Sequence, residues 1–293
     1  MQTVLIHVRQ EHKTRLGLGV QLRPNIQRHL APMLRTLLLP VVLALPGSCA
    51  SVPSPEDRTA SLNRTIQETS RTIAANPINA RAYAIRGYAK RQLGDLQGAV
   101  EDQTQAIKLN PLDPEPLYQR GVTNIQRGRH ADGIMDLTRA LRLNPQFQEA
   151  YLSRGVAKCD TGACADGLKD ITWAIQINPS DPIAFMSRGW ARGMLGDYRG
   201  EIEDNTRAIR LNSKLAEAYA NRGVAKYQTG DFMGTIDDST LALSLQPQMG
   251  IGYYYRGLAY LAINRKAEAR SDLGQAQVLL PEFGDEIGKL LQD

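Results

Sequence analysis

Apolar residues along most of the chain follow a helical period nested inside a longer one. In residues 80–113, Tyr83, Gly87, Ala89 and Lys90 fall on one face at helical spacing. Ala99, Val100, Gln103, Ala106 and Ile107 do the same in the second half, so this stretch predicts two helices. Between them, Leu93-Gly94-Asp95-Leu96 leaves room only for a tight turn in which Gly94 takes a left-handed cap conformation, and the two helices must be antiparallel. Pro111 stops the second helix and pushes Asn110 out of helical geometry.

The same pattern returns every 34 residues. The pair Arg86-Gly87 recurs as Arg120-Gly121, Arg154-Gly155, Arg188-Gly189, Arg222-Gly223 and Arg256-Gly257. Asp102 recurs as Asp136, Asp170, Asp204, Asp238 and Asp272, each followed four residues later by Ala. A strict period of this length means an array of stacked hairpins, each too small to bury its own apolar stripe. The units are residues 80–113, 114–147, 148–181, 182–215, 216–249 and 250–283. Residues 58–79 repeat only the second half of the unit and cover the first hairpin, while residues 284–293 form a capping helix that places Ile287 and Leu290 at first-helix positions.

These residues carry a resemblance. Tyr83, Gly87, Ala99, Ala106 and Pro111 stand at positions 4, 8, 20, 27 and 32 of the unit, and in this the chain resembles the tetratricopeptide repeat (TPR) family. The resemblance implies an all-α fold: a right-handed superhelical solenoid of about six helix-turn-helix repeats with half-repeat caps. Arg at position 7, where the family at large prefers Leu, resembles a bacterial subclass. Glu201 departs from the pattern by placing a carboxylate where a small residue is expected.

Length alone would allow two globular domains, but a solenoid grows by stacking and needs no second core. The net charge of +5 changes its meaning once it is located. Residues 1–50 hold six basic side chains and one acidic, which leaves 29 of each sign in the remainder, so the repeats carry no general signal for nucleic acid. Residues 33–50 combine Arg35, an apolar run from Leu37 to Leu45 and small residues, the form of an export signal too short to span a membrane. Two endings stay open: cleavage after Ala50, or lipidation of Cys49, which would attach the chain to a membrane although Pro46 stands where a lipobox has Leu. Residues 1–32 sit upstream of such a signal, and Met33 is an alternative start. The expectation is an exported protein, periplasmic or anchored at the outer membrane, with a cytoplasmic repeat scaffold or a structural spacer as the alternative. Residues 51–57, with Pro53 and Pro55, read as a linker, and residues 58–293 as the array.

The resemblance also implies where a partner would lie. First-helix positions 2, 5, 9, 12 and 13 line the concave groove of a tetratricopeptide solenoid. Here those positions hold Tyr88, Tyr118, Ile125, Leu152, Met186, Trp190, Met194, Tyr227 and Tyr254 among others, a surface rich in aromatic residues and Met. The expectation is a non-catalytic scaffold for a protein or peptide partner, gripping an apolar segment or helix, with Met186, Trp190 and Met194 as the leading cluster. Where one branch of the family has the key Asn of a carboxylate clamp, this chain has Tyr88, Val122, Val156, Trp190, Val224 and Leu258.

The Arg86, Arg120, Arg154, Arg188, Arg222 and Arg256 row and the Asp102, Asp136, Asp170, Asp204, Asp238 and Asp272 row recur in every unit and read as a structural ion-pair ladder. Lys90, Lys158, Arg192 and Lys226 form a second basic stripe, and Arg192 is a candidate counter-charge for Glu201. Cys159 and Cys164 flank one turn and are candidates for a disulfide, although positions 12 and 17 need not face each other. His130 stands at the position of Cys164 one repeat earlier, but no ligand set for a metal accompanies it, and no cofactor is expected. Three of the four His lie in residues 1–30, and no phosphate loop or nucleophile–His pairing occurs in the array.

Overall fold

A computed structural model describes residues 54–292. The expected export signal, Cys49 and the start of the linker lie outside the described residues. Among those residues there are fourteen α-helices, one short 3₁₀ turn and no strand. They run α1 (Pro55–Ala75), α2 (Ala80–Gln92), α3 (Leu96–Leu109), α4 (Pro114–Gln126), α5 (His130–Leu143), α6 (Gln148–Asp160) and α7 (Cys164–Ile177). There follow α8 (Pro182–Met194), α9 (Tyr198–Leu211), α10 (Ala216–Gln228), α11 (Phe232–Leu245), α12 (Gly250–Ala262), α13 (Lys266–Leu279) and α14 (Gly284–Gln292). Successive helices pack in pairs, α2 on α3, α4 on α5 and so on to α12 on α13, and each pair packs on the next. The fold is the right-handed solenoid of tetratricopeptide repeats.

Each hairpin turns on one residue in the left-handed region. Gly94, Gly128, Gly162, Gly196 and Gly230 have φ between 77° and 91°, and Asn264 takes the same role at 62° in the sixth repeat. The other boundary is an extended residue, with Asn110 at φ −137° and Asn144 at −131°. Asn212 adopts φ −147° before Ser213, so the break persists where proline is missing. α1 starts at Pro55, inside the stretch expected to be linker. The reason is local: Ser54 and Asp57 form a reciprocal capping box and Pro55 occupies the first turn, where its missing N–H costs nothing.

Helices within a hairpin meet at small residues. A methyl group on Gly155 would lie 2.6 Å from Ile171 Cγ1 and 2.7 Å from the Gly167 carbonyl oxygen, so neither glycine tolerates a side chain without separating α6 from α7. The alanines four residues after each ladder Asp are wholly buried, and between them sit larger side chains such as Leu137, Ile171 and Leu273. At the far end Ile287 of α14 is fully buried, so the last hairpin is covered by a chain segment rather than left open.

Candidate functional site

The ladder is best seen in the third repeat. Arg154 Nε and Nη2 donate to the two carboxylate oxygens of Asp170 at 2.8 and 2.7 Å. Nη1 donates to Thr138 Oγ1 of the preceding repeat at 3.1 Å. Lys158 Nζ approaches Asp170 Oδ2 at 2.8 Å, and the guanidinium sits 5.6 Å from the Tyr151 ring centre. The bidentate pair recurs in all six repeats. Hydrogen bonding to the aspartate holds Arg86, Arg222 and Arg256 above the ordinary arginine range. The second cation is supplied by Lys90, Lys158, Arg192 and Lys226 in four repeats. Repeat two has Asn124 at that position and repeat six Tyr260, so Asp136 and Asp272 rest mainly on their arginine. Both aspartates are buried, and the ladder ties each hairpin together and, through Arg86, Arg120, Arg154, Arg222 and Arg256, reaches a hydroxyl of the segment before it.

The positions expected to line the groove behave differently. Tyr88, Tyr118, Ile125, Met194 and Tyr227 are half-buried and reach solvent. Leu152, Met186, Trp190 and Tyr254 are buried; Met186 retains 3% exposure and Trp190 7%. The expected cluster of Met186, Trp190 and Met194 is therefore corrected: only Met194 is open. First helices pack directly on one another here, α6 on α8 and α8 on α10, and that closes the surface around Trp190. Tyr254 is tied instead to the cap, with its ring stacked 6.2 Å from Phe283 and its hydroxyl 3.4 Å from Glu286.

Two open regions remain. Toward repeats one and two, Arg91 lies 5.4 Å from the Tyr88 ring centre and donates through Nη2 to Gln119 at 3.2 Å, while Gln119 donates to Glu115 at 2.6 Å. Burial lowers the Arg91 pKa, and its Nε has no acceptor. Desolvation raises Glu115, and burial pushes the Tyr118 hydroxyl up to about 12. Toward repeats five and six, Tyr227 meets Phe232 at 5.5 Å and Tyr255 at 5.6 Å between ring centres.

In repeat five, position 12 meets position 17 across the hairpin corner, as Tyr227 against Phe232. In repeat three the same juxtaposition joins Cys159 and Cys164 in a disulfide. This is the pair singled out in the sequence, and the left-handed Gly162 turn lets the chain double back at the end of α6. Glu201 does not pair with Arg192, whose cationic nitrogens go to Asp204 at 3.0 Å, Asp197 at 3.8 Å and Glu203 at 3.9 Å. Glu201 instead fills the space left by Gly193, where a methyl group would strike its carboxyl group, and it is 7% exposed. Burial, and secondarily the Asp197 charge, raises its pKa well above the usual carboxylate range. The sequence signal for Arg91 and for the Glu201–Gly193 exchange is a break in the period at positions 12 and 20. Among the described residues no group of three or more metal-ligating side chains occurs.

Comparison with known proteins agrees with this architecture. Residues 80–111 match the tetratricopeptide repeat family. No curated protein matches the chain. A tetratricopeptide repeat protein from Parabacteroides merdae ATCC 43184 is 21% identical with a TM-score of 0.63, covering 81% of this chain and 93% of that one. The Cut9-Hcn1 hetero-tetramer of the APC/C gives a TM-score of 0.69 at 18% identity over 80% of this chain, which spans 46% of that chain. YrrB, described as a TPR protein with an unusual peptide-binding site, gives 0.51 at 16% identity over 63% of this chain and 95% of its own. At these identities the likeness is one of fold.

Proposed function

We propose that this tetratricopeptide-repeat solenoid is a non-catalytic scaffold that holds an apolar extended segment or helix of a partner protein along its concave face. The observation that carries the reading is the contrast within the first helices. Their charged rows are satisfied internally, while Tyr88, Tyr118, Ile125, Met194 and Tyr227 remain half-open at positions that vary from repeat to repeat. Rigid aromatic side chains of this kind contribute large contact area at little entropic cost, the character of interface hot spots. The interaction role of repeats of this fold, and the peptide site named for YrrB, favour the same reading.

The test uses the full chain and a partner recovered by affinity purification. Replacing Tyr88 and Tyr227 together by Ala is expected to weaken that partner at least about tenfold, the size of one lost hot spot. Affinity within twofold of the parent would contradict the concave site. Export belongs to the same proposal, on the strength of residues 33–50, and mass spectrometry of the mature protein is expected to find a new N-terminus at Cys49 or Ser51. An intact Met1 would contradict it.

A further inference from the structure

The outer faces of the second helices carry a feature that the concave reading does not use. Solvent-facing positions 22, 26 and 29 of repeats two to four include Met135, Arg139 and Arg142 on α5, Trp173 on α7, and Arg207 and Arg210 on α9. All six are exposed, with Trp173 at 55% and Met135 at 56%. A tryptophan this open on the middle of a helix is unusual, since most of its surface is apolar. Arg142 and Arg210 lie in last turns, where they complement the helix C-terminus. Arg139 and Arg207 lie a turn earlier and are not explained in that way. Arg139 has only a 3.9 Å approach to Asp136, which Arg120 already grips at 2.7 Å, and Arg207 leans 5.8 Å from the Phe185 ring centre.

We infer that this exposed ridge is a docking surface for an anionic phospholipid membrane. Two kinds of group meet there. Guanidinium groups supply attraction to acidic headgroups, and Trp173 with Met135 supplies the amphipathic and apolar surface that settles at a bilayer interface. A polyanion such as nucleic acid is the less favoured partner, since it offers no apolar phase in which Trp173 and Met135 could settle. No helix of the described residues is long and apolar enough to cross a membrane, so the contact is peripheral.

The test is flotation of the full chain with phosphatidylcholine vesicles carrying about a third phosphatidylglycerol, against pure phosphatidylcholine, at about 0.15 M salt. Three variants are compared with the parent: Arg139→Ser with Arg207→Ser, Trp173→Ala, and Glu101→Ser as an exposed control on the outer face of repeat one. The leader is the same in all, so binding driven by residues 1–50 would not distinguish them. Because these side chains are exposed, circular dichroism and melting temperature should match the parent. The expected result is binding that needs phosphatidylglycerol, weakens about fivefold per arginine removed, weakens for Trp173→Ala and is unchanged for Glu101→Ser. Trp173 fluorescence should also shift to the blue on binding, whereas Trp190 is already buried. The inference is overturned if phosphatidylglycerol vesicles do not bind the parent, or bind all variants equally. It is equally overturned if the arginine dependence appears only with a single-stranded oligonucleotide.

Discussion

Position 7 and position 12 lie five residues apart on the same first helices, and they have opposite characters in this chain. Position 7 is Arg in all six repeats, and each Arg is held by an Asp, while five of the six lie beside an aromatic ring and most also reach a Ser or Thr of the preceding repeat. Position 12 is Arg91, Ile125, Cys159, Gly193, Tyr227 and Leu261, with no residue used twice. A row that must satisfy the same buried charge in every unit has one solution. A row without that shared charge is free to become a cation, a disulfide, a slot for a neighbouring acid or an aromatic contact. Uniformity marks what holds the array together, and variation marks where it can differ from other arrays.

The largest effect that could break this contrast lies in the ladder. Arg120→Ala leaves Asp136 buried with only the distant Arg139, and should cost about 3–5 kcal/mol. Arg154→Ala should cost less, about 1–3 kcal/mol, because Lys158 still reaches Asp170 at 2.8 Å. Adding Asp136→Ala to Arg120→Ala should recover part of the loss. Denaturant titration of the four proteins measures this, and equal sub-kilocalorie costs would make the ladder an exposed ornament.

Glu201 provides the next test, since it is a position-20 residue that behaves like the variable row. Its folded pKa is raised, so its penalty is absent below the ordinary carboxylate value of about 4.3 and grows as pH rises from there toward the folded value. Glu201→Gln should therefore raise stability at neutral pH by about 1–3 kcal/mol, the cost of a buried group imperfectly satisfied, and the advantage should vanish near pH 4. A pH-independent difference in melting temperature would contradict the buried-acid account.

A stability effect no larger than that of Glu201 is expected at the disulfide. The Cys159–Cys164 bridge closes a short loop, so reduction should cost roughly 2 kcal/mol by loop entropy. Melts with and without reductant check this, and Cys159→Ser should match the reduced parent.

Much of this architecture is legible in the sequence. Helix ends, turn glycines and the Arg–Asp pairing follow from residues recurring at a fixed spacing, where six copies of one local solution leave little ambiguity. Burial of Met186 and Trp190 is not legible there, because position alone places them in the groove while the spacing of neighbouring first helices decides whether water reaches them. The meeting of Cys159 with Cys164 depends on how sharply Gly162 returns the chain, and the second bond of each Asp on which repeats carry Lys or Arg at position 11. In both cases sequence names the participants and three-dimensional proximity settles the partner.

The central claim is that the half-open first-helix positions proposed to line the groove, and not the ladder, meet the partner. Photo-crosslinking from benzoylphenylalanine placed in turn at Tyr88, Tyr227 and Met233 tests it most directly. Tyr88 and Tyr227 are half-open concave positions, and Met233 is an exposed corner residue of α11. The account predicts one and the same adduct from residues 88 and 227 and none from residue 233; adducts from residue 233 alone would contradict it.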